Sequence, residues 1–239
     1  MCTDIKPFSG KVNILHLIDG ARDARGLAVI IDVFRAFSLE PYLYDMGVKE
    51  IRPIGTIEDA FALHARIPGS VLIGERKGKK CEGFDFGNSP STVLPEAVKG
   101  RTALHTTSAG TQGIVNAAGA DEIITGSLVN AEAIARYIIA KQPKEVSLVA
   151  MGNRGIAPAA EDELCAEYIK SILEGAPLPD IAQRVAALQF AGGEHFFDRD
   201  NQEVFPEQDF WMCIQYNKFP FVLQVQQDEL GFVSRRYDI

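Results

Sequence analysis

The sequence predicts an α/β protein of three layers, with helices on both faces of a mostly parallel or mixed sheet. Apolar runs of strand length, rich in Val and Ile, recur along the chain. In three stretches, 26–45, 101–118 and 145–173, such a run passes through a polar, glycine-bearing loop into a helical pattern. Repeated strand–loop–helix units favour a sheet covered by helices, with the loops converging on one rim. The chain has 239 residues, 46% of them hydrophobic, which suffices for a full core. One compact unit over 1–239 is expected, with two similar lobes, 1–126 and 127–239, as the other division; Gly126–Asn130 is the candidate boundary.

Composition narrows the function classes. A net charge of −8 argues against general nucleic-acid binding, which depends on clustered Lys and Arg. It leaves a small anionic ligand open, because surface charge reaches only about 8 Å at physiological salt and cations inside a cleft outweigh it. No apolar run is long enough to span a membrane, and the first residues, MCTDIKPFSGK, lack the plan of a signal peptide. A cytoplasmic protein is therefore expected. Cys2, Cys81, Cys165 and Cys213 are far apart and form no CxxC, which predicts reduced thiols.

Taken in order, GLAVIIDVFR (26–35) predicts a buried parallel strand that delivers Asp32 at its carboxyl end, with Arg35 just beyond. Ligands of open α/β sheets collect there. An Asp32–Arg35 pair closing a turn accounts for the same residues. LEPYLYDMG (39–47) predicts a short helix and VKEIRPIG (48–55) a second strand. Thr56 and Asp59 match a capping box opening a helix with Ile57, Phe61 and Ile67 on its apolar face and His64 in a structural place. Pro68-Gly69 ends it, and VLIG begins the next strand.

Gly74–Pro90, GERKGKKCEGFDFGNSP, is the densest polar stretch and reads as a long irregular loop leaving that strand. RTALHTTSAGTQGIVNAA (101–118) reads as strand, loop and helix. Its Thr106, Thr107, Ser108, Gly110 and Thr111 suit an anion held by amides and hydroxyls, or ordinary helix caps. DEIIT (121–125) is a short apolar run, and a helix starts near Asn130 with Ile134, Tyr137 and Ile138 on one face. EVSLVAM (145–151) is a strand leading through Gly152-Asn153-Arg154-Gly155 to a helix opened by Glu161-Asp162-Glu163. Acidic residues in a first turn are favoured by the helix dipole in any case. GAPLP (175–179) is a connector, Asp180 caps IAQRVAALQF, and FPFVLQVQQ predicts a half-exposed strand at a sheet edge, where it would permit pairing into a homo-oligomer.

The polar inventory is carboxylates (Asp32, Glu75, Asp85, Glu161, Asp162), cations (Arg35, Arg76, Arg154, lysines near 79) and hydroxyl-rich loops. It suits a phosphate held by amides and arginines beside Mg²⁺ held by oxygen ligands. Phosphomonoester hydrolysis demands barrier lowering on the order of 20 kcal/mol. One charged hydrogen bond supplies only about 1.5–3 kcal/mol, so a metal is the economical addition. Asp32 is followed by Val33-Phe34 and not by x-Asp. No Cys-x5-Arg or Arg-His-Gly is present, and the four histidines are scattered. These absences argue against haloacid-type, cysteine and histidine phosphatases and against a zinc site.

IIDVFRA (30–36), GERKGKKCEGFDFGNSP (74–90), HTTSAGTQG (105–113), GNRG (152–155) and EDELCA (161–166) together resemble the 2-phosphosulfolactate phosphatase family, in the right order along most of the chain. The resemblance implies an α/β fold, phosphomonoester hydrolysis, Mg²⁺ and an association with coenzyme M biosynthesis. By matching position it brings in Asp32, Arg35, Glu75, Asp85, Gly87, Asn88, Ser89, Thr106, Thr107, Gly110, Thr111, Arg154, Glu161 and Asp162. Phe37 stands where the family often has a hydroxyl, and Ala109 where it commonly has Asn. Both bear on the hydroxyacid recognised more than on the phosphatase chemistry.

The expected assignment follows. Asp32 and Asp162, with Glu161, Glu75 or Asp85, hold metal and orient water. Arg35, Arg154, Arg76 and the Thr106–Thr111 loop, Ser108 included, hold phosphate, with Asn88 and Ser89 as a glycine-set wall. Lys79 and Lys80 draw a second anionic group of a small phosphorylated substrate. A non-catalytic phospholigand-binding protein and a phosphotransferase to an acceptor other than water are the alternatives.

Overall fold

The computed structural model describes residues 8–239; of the cysteines, Cys2 lies outside them. Among the described residues ten strands form one mixed sheet with helices on both faces, the three-layer arrangement expected. No helix among them is long and apolar enough to cross a membrane.

The sheet has two parallel halves. In the first, β1 (Lys11–His16), β8 (Glu145–Ala150), β2 (Leu27–Ile31) and β7 (Glu122–Gly126) lie side by side. In the second, β3 (Glu50–Pro53), β6 (Thr102–Thr106) and β4 (Val71–Arg76) are parallel, with β5 (Lys79–Lys80) antiparallel on the outside. Both faces of β2 are buried, which explains its unbroken apolar run. Val29 and Ile31 meet Ile134, Ile138, Leu164 and Ile169 from α6 (Ala131–Lys141) and α7 (Ala160–Leu173). Ala28 and Ile30 meet Phe37 of α2 (Ala36–Asp45) and Ile114 of α5 (Gly110–Asn116) on the other face. Each fully buried aliphatic side chain of this kind contributes about 1.5–3 kcal/mol.

The C-terminal hairpin joins the halves. β9 (Phe221–Asp228) pairs antiparallel with β7 and β10 (Gly231–Asp238), and β10 reaches β3 through Ser234 and Ile51. This corrects the expected sheet-edge position and removes the edge that would have paired with another copy. Phe221, Val222 and Leu223 are buried and the later residues of β9 become exposed, so the half-exposure holds while the lateral place does not. Under the seam, Nδ1 of fully buried His105 lies 2.9 Å from Glu40 Oε1, while Thr125 and Ser234 donate to Glu40 Oε2 at 3.4 Å. Gly126–Asn130 is buried here, with Ser127 capping a short 3-10 turn.

Local departures have local causes. β1 and α1 (Leu17–Asp23) escaped notice because KVNILH carries Lys and Asn and is only partly buried. α2 starts at Ala36, three positions before the expected 39. Thr56 caps α3 (Ile57–Arg66) by accepting the Asp59 N–H at 3.0 Å, but the Asp59 carboxylate takes the Thr56 hydroxyl instead of an amide. Gly74–Arg76 continue β4 and do not begin a loop. Lys77 (φ 56°) and Gly78 (φ 80°) make a two-residue turn with both φ angles positive, the geometry that returns the chain into β5. Cys81, Cys165 and Cys213 are free and buried.

Candidate active site

The carboxyl ends of β2, β4, β6 and β8 meet at a cavity of about 430 Å³. Asp32 stands one residue past β2, and its Oδ2 accepts the Gly110 N–H at 2.7 Å. A Cβ on Gly110 would lie 3.0 Å from that oxygen and 2.8 Å from Phe37 Cζ, so glycine is what permits this approach. Glu75 near the end of β4 accepts the Ser108 N–H at 2.7 Å through Oε1. Its Oε2 accepts the Gly78 N–H at 2.6 Å and the Ser108 hydroxyl at 3.2 Å. Asp162 in the first turn of α7 accepts the Val33 N–H and the Gly152 N–H, each at 2.7 Å. Asp162 thus ties the exit of β2 to that of β8, and Glu75 ties the β4–β5 turn to the exit of β6.

The loop after β6 therefore differs from expectation. Its Ser108 and Gly110 amides hold the protein's own carboxylates. Thr107 and Thr111 close on each other, each hydroxyl accepting the other's amide at 3.1 Å. Thr106 accepts from Arg76 Nη2 at 2.9 Å, and Arg76 also donates to the Glu75 and Gly55 carbonyls, which spends it on the strand ends. The physics of an anion at backbone donors is as expected, but the anion is supplied by the chain.

Glu161 also lines the cavity and has no side-chain hydrogen bond among the described residues. Burial, then the charge of Asp162, pushes its carboxyl up to about 8. Burial raises Asp162 to about 7 against the opposing pull of its two amides. Asp32 is raised well above the carboxylate range by burial, then by Asp162 and Glu75. Carboxyl groups gathered in one buried place oppose one another's ionisation, and a cation among them would relieve that cost.

Three cations reach this cavity by different means. Arg154 (φ 57°) and Lys77 are exposed, and neither forms an ion pair among the described residues. Arg35 is 4% exposed and adopts φ 91°, a conformation that costs a non-glycine residue about 1–3 kcal/mol. Its guanidinium donates to the Val204 carbonyl at 2.7 Å and the Gly78 carbonyl at 2.9 Å, and rests 4.6 Å from the Phe205 ring centroid. Asp209 Oδ2 stands 3.6 Å from Arg35 Nη1. The other oxygen of that fully buried carboxylate accepts from the Ser89 hydroxyl, the Ser91 amide and the Ser91 hydroxyl. Arg35 thus holds four segments together, and much of its donor capacity is spent on them.

Behind Arg35 lies a second cavity of about 560 Å³, which shares Arg35, Gly78 and Asn88 with the first. Lys79, Lys80, Ser89 and Asp85 line this one and not the acidic cavity. Asp85 accepts the Leu72 N–H at 2.8 Å, so its carboxylate steadies β4 at a remove from Asp32, Glu75 and Asp162. Asn88 belongs to the shared wall, and its Oδ1 is buried without a partner.

Lys77, Asn153, His195, Phe34, Phe205 and Asp209 take part in these walls without having been singled out from sequence. Asp209 carried little signal, because it follows Glu207-Gln208 in the first turn of a helix, where acids are common. Lys77 carried a usable one, because Lys-Gly between Arg76 and Lys79 is a turn pair. His195 and Phe205 carried none, lying in a segment without regular pattern.

The sequence profile described as 2-phosphosulpholactate phosphatase matches residues 13–228. A probable 2-phosphosulfolactate phosphatase of Bacillus subtilis (strain 168) is 31% identical over 202 residues, covering 84% of this chain and 87% of its own. One from Clostridium perfringens (strain SM101 / Type A) is 31% identical over 222 residues, 87% of this chain and 89% of its own. A third, from Caldanaerobacter subterraneus subsp. tengcongensis, is 40% identical over 129 residues, 53% of each chain. The name these relatives share is that of a phosphoric monoester hydrolase. Since the profile runs from β1 to the end of β9, and so through every loop that lines the acidic cavity, the chain belongs to the 2-phosphosulpholactate phosphatase family.

Proposed function

We propose that this protein hydrolyses the phosphomonoester of a small, highly anionic hydroxyacid, 2-phosphosulfolactate or a near relative, with Mg²⁺, in the cytoplasm and in a pathway of the coenzyme M type. The observation that carries the reading is the set of Asp32, Glu75 and Asp162, each fixed by backbone amides and turned to one cavity beside Arg154 and Lys77. The family's printed name supports the substrate class.

The donor set fits Mg²⁺ by its chemistry. It is all oxygen, and burial, then the charges of Asp162 and Glu75, raises the Asp32 pKa, while burial raises that of Asp162. Among the described residues no three His, Cys, Asp or Glu side chains form a ready metal-binding group. Water and substrate oxygens would therefore have to complete the coordination of an ion held there. Asp32 and Asp162, with Glu75, are the residues that would hold it. The chemistry it supplies when bound is neutralisation of phosphoryl charge and activation of water. Arg154 and Lys77 draw the phosphate towards the carboxylate loops. Glu161, whose carboxyl is held by no other residue among those described, is the carboxyl able to exchange a proton with what the cavity holds.

Purified protein should release inorganic phosphate from 2-phosphosulfolactate in Mg²⁺ and stop with EDTA. Asp32→Asn should lower kcat/KM on the order of a thousandfold while the melting temperature stays near that of the wild type. Full activity in Asp32→Asn, or no phosphate release from any phosphorylated hydroxyacid, would overturn the reading.

A further inference from the structure

One wall of the acidic cavity has a chemistry that the carboxylates and cations do not use. The stretch Ala191–Phe205 brings His195, Phe196 and Phe205 to it, beside Phe34 from the exit of β2. The His195 ring packs against Phe196 at 4.2 Å between centroids, against Phe205 at 4.6 Å and against Phe34 at 6.3 Å. Aromatic carbon therefore fixes the orientation of an imidazole in the cavity wall, and the Gly192 backbone is the polar neighbour that acts on it. Among the described residues no side chain hydrogen-bonds the ring, which is half-buried and lines the cavity. A half-buried polar group so placed is poised for a hydrogen bond from whatever fills the cavity.

The neighbours of His195 indicate which end of a ligand it meets. The phosphoryl end requires cations, and these come from the β4–β5 turn and the loop after β8, with the amide-fixed carboxylates between them. The Phe34, Phe196 and Phe205 surface supplies carbon contacts, and the Arg35 guanidinium lies 4.6 Å from the Phe205 ring centroid. That surface suits the short carbon skeleton of a leaving group, with one polar atom to read its oxygens. Burial, then the nearby Arg35 charge, depresses the His195 pKa against the opposing pull of the Gly192 backbone and Glu194, so near neutral pH the uncharged ring carries a single N–H.

Resting on the phosphatase reading above, we infer that His195 is a specificity-determining residue. Its imidazole hydrogen-bonds an oxygen of the acid group on the leaving-group side of the phosphorylated hydroxyacid. An ester that lacks this group leaves the imidazole unpaired when it closes the cavity. A site built around a hydrogen bond discriminates against such analogues far more strongly than one built on apolar contact alone.

The test compares wild type with His195→Phe, which keeps the aromatic packing and removes both nitrogens, and His195→Asn, which keeps an N–H. Turnover is measured on 2-phosphosulfolactate and on p-nitrophenyl phosphate, which carries the same phosphate and no acid group. His195→Phe should lose about 10–100-fold in kcat/KM on the first and change less than about threefold on the second, with His195→Asn recovering part of the loss. Equal falls on both substrates would mark a structural role and overturn the inference, as would no fall on either. A calorimetric arm separates this from failure of the phosphatase reading. His195→Phe should bind sulfolactate about tenfold more weakly and inorganic phosphate unchanged. If the wild type turns over neither ester, the phosphatase reading fails on its own, and unchanged or undetectable sulfolactate binding overturns the role of His195.

Discussion

The two cavities lie back to back, share Arg35, Gly78 and Asn88, and carry opposite charge in opposite ways. In the first, the carboxylates of Glu75 and Asp162 are buried and that of Asp32 is half-buried, and six hydrogen bonds, five from amides and one from a hydroxyl, lock them in place, short of the freedom an exposed acid would have. In the second, the lysines of β5 are exposed and their heads are bound to nothing among the described residues. Fixed charge at a strand exit can do chemistry, because its geometry costs nothing to reorganise when a ligand arrives. Mobile charge on a hairpin can attract, but salt screens it. The most charge-dense stretch of the sequence is divided between the two by a single Lys-Gly turn, with Glu75 on one side and Lys79 and Lys80 on the other.

The largest effect should come from the shared wall. Asp209→Ala removes the buried partner of Arg35 and three hydrogen bonds to the 89–91 segment, and should cost about 3–5 kcal/mol of unfolding free energy in urea titrations. It should disturb both cavities, so a variant of full stability would show that the wall is not held through Arg35. Glu75→Gln confines the damage to the acidic side. It exchanges one acceptor oxygen for a donor facing the Ser108 or Gly78 amide, and kcat should fall about 100-fold with a smaller change in melting temperature. Arg154→Ala removes an exposed cation without disturbing any protein contact, and should raise KM about tenfold at nearly constant kcat. A fall in kcat with KM unchanged would place Arg154 in the transition state and not in binding.

How much of this was legible depended on whether the determinant was local. The strands β2, β6 and β8 are buried on both faces, so their apolar runs announced them, and Asp32 at the exit of β2 stood out for the same reason, whereas Asp162 sits in the first turn of α7, where an acid has a helix-dipole reason of its own. The position of β9 and β10 was not legible, because lateral order in a sheet is set by pairing between residues far apart in sequence, such as Thr125 with Leu223. In the Thr106–Thr111 loop the residue types suit an anion, but only Ser108 and Gly110 meet one, and that it is the chain's own carboxylate depends on Asp32 and Glu75 arriving from other strands. Arg35 was visible as a charge at a strand exit. Its turn away into the wall follows from a φ of 91° that no apolar pattern encodes.

Lys79 and Lys80 give the smallest and sharpest test of the comparison. Both are exposed, and Arg35 and Asn88 stand between their cavity and the carboxylates. At physiological ionic strength their field falls off over about 8 Å, which leaves attraction during approach as their contribution to the acidic cavity. A Lys79→Ala, Lys80→Ala double variant should therefore raise KM less than about threefold, leave kcat unchanged, and lose even that effect when the salt concentration is raised towards 1 M. A rise in KM of tenfold or more that persists in high salt would mean that the ligand crosses the shared wall and closes on these lysines directly. The two cavities would then be one site, with the second anionic group seated behind Arg35.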